Sequence, residues 1–256
     1  MLGGIGAKRA FRLALLALPS VCIVDALFIE PEWVAVRRLR IPGKKPTCRL
    51  AHFTDLHYRG DRALLEGVVR MLNACAPDLA CFTGDIVEEE RYLAEALEIL
   101  RGVRVPLYGV PGNHDYWCAA SFAPVAEAFE STGGAWLVDR EVKGLDGALS
   151  IVGAAGHDAG FIPAAGREKR LLLTHYPAFA DLAKGHRFSL ILAGHTHGGQ
   201  LRIPFWGAPF LPWGTGRYDK GLFRTPAGPL YVNPGIGTFY APVRIFCRPE
   251  ITVIDF

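Results

Sequence analysis

The sequence predicts an α/β layered body preceded by a separate amino-terminal segment. Short apolar runs typical of strands alternate with helical stretches as far as residue 185, and after residue 186 short strands dominate. The chain has 256 residues, of which 50% are hydrophobic and 21% charged, so it can bury one large core without splitting in two. We therefore expect an amino-terminal segment, residues 1–47, and one body, residues 48–256.

The predicted elements of the body follow one another in a regular order. Each strand is an apolar run that is bounded by turn-forming or polar residues, and each helix lies between two strands. The strands that matter most cover residues 50–54, 79–83, 105–110, 171–174 and 190–193. The helices are expected at residues 61–74, 91–101, 122–132 and 178–185.

Side chains suited to metal binding follow each of these five strands. Gly84 allows the backbone to bend so that Asp85 points inward. The carboxyl edge of an open α/β sheet is where ligands bind, so we expect the clusters to converge on one site. The candidates are Asp55, His57, Asp85, Asn113, His114, His175, His195 and His197.

The residue types in these clusters indicate the kind of ion. No thiolate belongs to the set, which argues against a closed structural zinc site, whereas imidazole, carboxylate and amide oxygen together suit manganese, iron or zinc at a hydrolytic centre. The ligands are too many for one ion that keeps an open position, and two ions sharing a bridging carboxylate fit better. Each cluster alone has an ordinary alternative, since Gly84-Asp85 could be a simple turn and Asp55 a turn-capping residue. Their conjunction favours a site.

Taken together, the patterns D-x-H, G-D, G-N-H-D, H and G-H-x-H resemble those of the calcineurin-like metallophosphoesterases. The resemblance covers residues 48–256, which would form the catalytic domain. It implies the four-layer metallophosphoesterase fold, an α/β architecture in which two facing mixed β-sheets are flanked by helices. It also implies a hydrolase that acts on phosphoester or pyrophosphate bonds through a hydroxide bridging two divalent metal ions, of which manganese is our first choice.

The same resemblance implies a role for each candidate residue. Asp85 would bridge the two ions. His114 would face the leaving group rather than a metal, and Asp115 would orient its ring. One ion would take Asp55, His57, Asp85 and His197, and the other would take Asp85, Asn113, His175 and His195.

The amino-terminal segment differs from the body in charge and hydropathy. Residues 13–29 are largely apolar and follow Lys8, Arg9 and Arg12. Residues 1–50 hold nine Lys or Arg and three acidic residues, a net of +6, so with +3 for the whole chain the rest carries −3. Local basicity beside an apolar run favours an anionic membrane surface over nucleic acid as a partner. The alternative is a hydrophobic helix packed on the body. We therefore expect attachment to the inner membrane, either peripheral or through the amino terminus. The six cysteines form no obvious disulfide framework, which favours a reducing compartment, so we expect the site to lie in the cytoplasm.

A proline-rich loop with aromatic residues follows the Gly194-His195-Thr196-His197 cluster. An apolar patch beside an active site suggests a lipidic substrate or contact with a bilayer, although these rings could equally pack into the core. The candidate substrate contacts are Phe205, Trp206, Phe210 and Trp213.

Three stretches, at residues 194–200, 231–237 and 242–250, look like the membrane-associated bacterial branch of the family. That branch includes general phosphodiesterases and UDP-2,3-diacylglucosamine hydrolases of lipid A biosynthesis. We expect a UDP-2,3-diacylglucosamine pyrophosphatase, with a lipid-linked nucleotide as its substrate. The alternatives are a phosphodiesterase or phosphatase for a soluble substrate and a non-catalytic, membrane-bound metal module.

Overall fold

The computed structural model describes residues 19–41, 46–118, 121–155, 159–164 and 169–256. Within them the chain folds into two six-stranded mixed sheets with helices on their outer faces. The predicted four-layer α/β architecture is therefore confirmed.

The first sheet carries the early site clusters. Its strands, in chain order, are β1 Ala35–Arg40, β2 Arg49–Phe53, β3 Leu79–Phe82, β4 Leu107–Gly109, β5 Ala135–Trp136 and β12 Glu250–Asp255. They lie in the order β1-β12-β2-β3-β4-β5. All neighbours are parallel except β12 and β2, which are antiparallel.

The second sheet carries the late site clusters. Its strands are β6 Arg140–Gly144, β7 Leu149–Ala154, β8 Lys169–Thr174, β9 Leu190–Ala193, β10 Gly221–Thr225 and β11 Gly228–Val232. They lie in the order β10-β11-β9-β8-β7-β6. The inner strands are parallel, and each edge strand is antiparallel to its neighbour.

The helices lie close to their predicted positions. They are α1 Arg62–Ala74, α2 Leu93–Leu100, α3 Asn113–Cys118, α4 Ala123–Glu130 and α5 Phe179–Leu182. Asp61 caps α1, because its carboxylate accepts the N–H of Leu64 at 3.0 Å. The sequence did not predict α3, which begins at Asn113 inside a site cluster. Short 3-10 turns precede α2 and follow α5, at Glu90–Tyr92 and Ala183–Gly185.

Alternating strand residues supply the layers of the core. In β2, Leu50 packs between the two sheets whereas Ala51 faces the helices. The layer between the sheets also contains Cys81 and Leu192. α5 covers the outer face of the second sheet through Phe179. Both faces of the inner strands are buried, which explains their nearly continuous apolar runs.

The amino-terminal segment is partly built into the body. Residues 19–24 are helical, Asp25–Ile29 form a π-helical turn and Glu30–Glu32 a 3-10 turn. β1 comes next, so the first sheet reaches into the segment that we expected to be separate. No helix among the described residues is both long and apolar enough to cross a bilayer. Part of the predicted apolar run, residues 13–18, lies outside the described residues, as do Lys8, Arg9 and Arg12.

Candidate metal centre

The loops after the strands of both sheets meet at one edge of the molecule. In the first sheet, the N–H of Asp55 donates to the carbonyl of Gly84 at 2.9 Å, and the N–H of His57 to that of Asp85 at 3.1 Å. A bond between the sheets completes the junction, since the N–H of His195 donates to the Asp55 carboxylate at 3.0 Å. The convergence expected from the strand-end pattern is therefore present in the structure.

Asp85 lies at the middle of the cluster. Its Oδ2 is 3.5 Å from His57 Nε2 and 3.3 Å from His175 Nε2. On one side, Asp55 and His197 join His57, with 3.0 Å between the Nε2 atoms of the two histidines. One carboxylate oxygen thus lies between two groups of ligand atoms.

Asn113 and His195 complete the other side. Asn113 Oδ1 lies 3.1 Å from His175 Nε2, and His195 Nδ1 lies 3.0 Å from the same nitrogen. All seven predicted ligands are therefore within reach of two neighbouring positions around Asp85. Carboxylate, imidazole and amide donors that converge in this way fit two divalent cations sharing one bridge.

The backbone at these residues is held in an uncommon conformation. Five of the seven predicted ligands have a positive φ between 41° and 69°, a backbone region that residues other than glycine rarely adopt. They are Asp55, His57, Asp85, His195 and His197. Such strain persists only where the surrounding structure enforces it, and it clusters at functional sites.

Motif glycines make the close approach possible. A Cβ on Gly84 would lie 2.5 Å from the backbone nitrogen of Gly112 and 2.7 Å from His175 Nδ1. A Cβ on Gly112 would overlap the Asp85 carboxylate. Any side chain at either position would push two ligand loops apart.

Hydrogen bonds set which ring nitrogen of each histidine faces the centre. His175 Nδ1 donates to the carbonyl of Thr83 at 2.7 Å, so Nε2 is the nitrogen that faces Asp85. His195 Nε2 donates to the carbonyl of Trp213 at 2.6 Å, which leaves Nδ1 free. His57 Nδ1 donates to Glu88. Partners of this kind orient metal-binding imidazoles.

Burial and neighbouring charges shift the pKa values of the central side chains in different directions. Burial works against ionisation of Asp85, but His175 and His57 outweigh it and hold the Asp85 pKa well below its usual range. Burial also opposes charge on His175, yet Asp85 and Asp55 raise its pKa to about 9, so a proton and a metal ion compete for Nε2. Burial, with His175 adding to it, lowers the pKa of His195 to about 3 and keeps that ring neutral.

His114 lies beside the ligands, but its acidic neighbour is not the expected one. Both carboxylate oxygens of Asp115 accept hydrogen bonds from backbone N–H groups, those of Asp85, Ile86 and Gly112, each at 2.8 Å. It therefore fixes the loops rather than the ring of His114, which corrects our expectation. The acidic group at the ring is Glu88, whose Oε1 lies 3.4 Å from His114 Nδ1. Glu88 lies three residues after Asp85, outside the patterns from which the candidate residues were predicted.

Comparison with known proteins decides the family. Residues 48–199, more than half of the chain, match the family described as calcineurin-like phosphoesterase. This protein belongs to that family. It is therefore a metal-dependent phosphoester hydrolase, as predicted.

Relatives of this phosphoesterase agree with the assignment. It is 29% identical to phosphodiesterase YaeI of Escherichia coli over 245 residues, covering 89% of this chain and 90% of the relative. It is 27% identical to the uncharacterized metallophosphoesterase YkuE of Bacillus subtilis over 252 residues, covering 89% and 87%. A crystal structure of a dimetal phosphatase from Danio rerio shares the fold, with a TM-score of 0.50 at 12% identity, over 75% of this chain and 88% of that one.

The phosphoesterase centre opens into a cavity of about 340 Å³. Imidazole and carboxylate groups form its floor, and His114 lies within it. Rings and a proline form the rest of the wall, which comprises Trp117, Tyr176, Pro212, Trp213, Phe239 and Tyr240. A phosphoryl group at the floor would place its substituents against this apolar wall.

The proline-rich loop is exposed, so its rings do not pack into the core. Phe205 is fully exposed, and Trp206, Phe210 and Trp213 are 74%, 81% and 82% exposed. Trp213 lines the metal cavity and Phe210 a neighbouring groove, whereas Phe205 and Trp206 line neither. Sequence reasoning missed Phe239, because it comes from a distant loop before β12 that carries no local motif.

Proposed function

We propose that this phosphoesterase is a dinuclear-metal hydrolase whose substrate carries a lipid, in the first instance UDP-2,3-diacylglucosamine. The observation that carries the dinuclear assignment is Asp85 Oδ2, placed 3.5 and 3.3 Å from one nitrogen of each ligand group. Manganese is our first choice of metal, with iron or zinc as alternatives. Asp55, His57, Asp85 and His197 would hold one ion, and Asp85, Asn113, His175 and His195 the other.

The chain's own groups then have defined tasks. When bound, the two ions would act as Lewis acids, supplying hydroxide near neutral pH and neutralising phosphate oxygens. His114 would donate a proton from Nε2 to the departing oxygen. Burial lowers the His114 pKa, and Glu88, 3.4 Å from Nδ1, acts against that by favouring the protonated ring. Asp115 would keep the Asp85 and Gly112 loops in register through their N–H groups.

A lipid-linked substrate is supported by what surrounds the metal cavity. Phe210 and Trp213 expose most of their surface beside it, and an isolated soluble domain gains nothing from such exposure. Turnover of detergent-dispersed UDP-2,3-diacylglucosamine, compared with that of bis(p-nitrophenyl) phosphate, tests this substrate. We expect the lipid nucleotide to be preferred by at least about tenfold in kcat/KM. Preference for the aryl diester would remove the lipid nucleotide from consideration.

The second candidate function is a general phosphodiesterase for a soluble substrate. It is supported by the similarity to phosphodiesterase YaeI over 89% of this chain. In that case the aryl diester is the better substrate, and substitutions of Phe210 leave turnover unchanged.

We further propose that the protein attaches to an anionic membrane, the inner membrane, with its site in the cytoplasm. Exposed apolar side chains of the amino-terminal helical region, among them Val21 and Phe28, support this, as does the net +6 of residues 1–50. One contact supports the alternative, a helix packed on the body: the N–H of Arg244 donates to the carbonyl of Ala26 at 3.0 Å.

Flotation with phosphatidylglycerol and phosphatidylcholine vesicles measures the attachment. We expect binding to the anionic vesicles only, weakened by salt and by Phe28→Glu. Equal recovery of the protein with both vesicle types would contradict the electrostatic part of the proposal, and recovery with neither would contradict the attachment.

A further inference from the structure

A second cavity, which we call the side groove, opens directly from the metal cavity. Its volume is about 330 Å³, within the range of roughly 300 to 1,000 Å³ typical of ligand pockets. The two cavities share His197, Pro212, Phe239 and Tyr240 as lining residues. Because His197 is one of the predicted metal ligands, the groove begins at the centre itself, and a ligand in it can reach the phosphoryl position.

The rest of the groove is apolar and unusually open to solvent. Phe210 is 81% exposed and Tyr240 is 87% exposed, although both are large rings. Burying such apolar surface stabilises a complex, because it removes that surface from water. The groove wall between these rings is formed by Leu201, Leu211, Pro212, Ala241 and Val243.

Two polar side chains of the groove, Gln200 and Thr196, are already hydrogen-bonded within the protein. The Gln200 side chain donates from Nε2 to the carbonyls of Ala241 at 3.2 Å and Val243 at 3.1 Å, and its Oε1 accepts the N–H of Phe239. Thr196 Oγ1 donates to the carbonyl of Asp219 at 2.6 Å and accepts the N–H of Gly198. Neither side chain is available to anchor a sugar or a nucleobase.

The same hydrogen bonds make the groove a preformed one. Gln200 ties together residues 239–243, which form one wall, and its own carbonyl accepts the N–H of Ile245 at 2.9 Å. Leu201 follows on the opposite wall and pairs with Ile245 through a parallel bridge. A wall that is fixed before binding saves the ordering entropy that a flexible loop would lose.

We propose that the side groove binds a linear alkyl or acyl chain that is covalently attached to the phosphoester substrate. Continuity with the metal cavity favours the attachment, and the apolar wall, with the Gln200 and Thr196 side chains already occupied, favours a hydrocarbon over a hydrogen-bonding moiety. The inference rests on the proposed hydrolase function and names the substrate class more closely. It holds for any phosphoester with such a chain, whatever its polar portion.

A chain-length series tests the groove with one leaving group throughout. The probes are methyl, hexyl and decyl p-nitrophenyl phosphate, used with Mn²⁺ and below the concentration at which they form micelles. Each buried methylene raises kcat/KM by roughly threefold to fourfold at most, so we expect the hexyl ester to exceed the methyl ester by at least about tenfold. In Leu201→Glu and Leu211→Glu, the ratio of hexyl to methyl kcat/KM should fall to near one.

Ile203→Glu is the matched control. Ile203 belongs to the same loop, is 45% exposed compared with 37% for Leu201, and does not line the groove. It should keep the wild-type ratio, whereas an equal loss in all three variants would indicate a general effect of surface charge and overturn the groove. A flat wild-type series with measurable hydrolysis of the methyl ester would overturn the groove and leave the hydrolase. Failure to hydrolyse every ester would overturn both.

Discussion

Buried His52 should make the protein sensitive to acid. Its Nε2 lies 2.9 Å from Thr83 Oγ1 in the layer below the metal centre, and burial lowers its pKa from 6.5 to about 3. Between these values the unfolded chain binds a proton that the folded protein does not. The contribution of neutral His52 to stability is therefore complete above pH 6.5 and is lost as the pH falls toward 3. Proton linkage at this one residue removes about 2 kcal/mol of the free energy of unfolding between pH 6.5 and about pH 4.5, and about 4 kcal/mol by pH 3.

Urea unfolding of wild type and His52→Gln at a series of pH values measures this linkage. Glutamine can still reach the Thr83 hydroxyl but does not titrate, so its curve should be flatter by that amount. The other histidines are present in both proteins and cancel in the difference, provided that metal content is equal. If the free energy of unfolding fell equally with pH in both proteins, the low pKa of His52 would be refuted. A steeper fall in the variant would show that the pKa of His52 is raised rather than lowered.

Four further predictions concern the centre, with metal content followed by mass spectrometry. Asp85→Asn should lose metal and activity together, because the shared carboxylate charge disappears; retention of two ions would contradict the bridge. His114→Ala should keep its metal while turnover falls by about 10² to 10⁴, and metal loss would make His114 a ligand. Glu88→Gln should retain the fold and lower turnover by about 10 to 100-fold. Asp115→Asn should instead destabilise the protein by about 1 to 3 kcal/mol, since an amide cannot accept all three backbone N–H groups; equal stability of these last two variants would contradict their separate roles.

The positions of the metal ligands could be predicted from the sequence because each has a local signal. Gly84-Asp85 ends an apolar run, and the order of such runs places their carboxyl ends at a common edge. Partners that are remote in sequence give no such signal. β1 pairs with β12 across more than 200 residues, so nothing near residue 35 indicated a strand of this sheet. The role predicted for Asp115 was wrong for a related reason. Adjacency to His114 suggested contact, but in α3 consecutive side chains point in different directions.

In the proposed function, metal binding and substrate choice depend on different parts of this chain. The ligand loops are constrained from several sides, by left-handed backbone at Asp85 and His195 and by glycines that admit no Cβ, so change there disturbs the whole centre. The groove wall is fixed mainly by hydrogen bonds from the Gln200 side chain to the carbonyls of Ala241 and Val243, and these bonds do not involve the side chains of Leu201 and Val243. Substitution of these side chains can therefore alter the length or bulk of an accepted chain while the ions stay in place. Specificity for a hydrocarbon substituent should accordingly be separable from hydrolysis of the phosphoester bond.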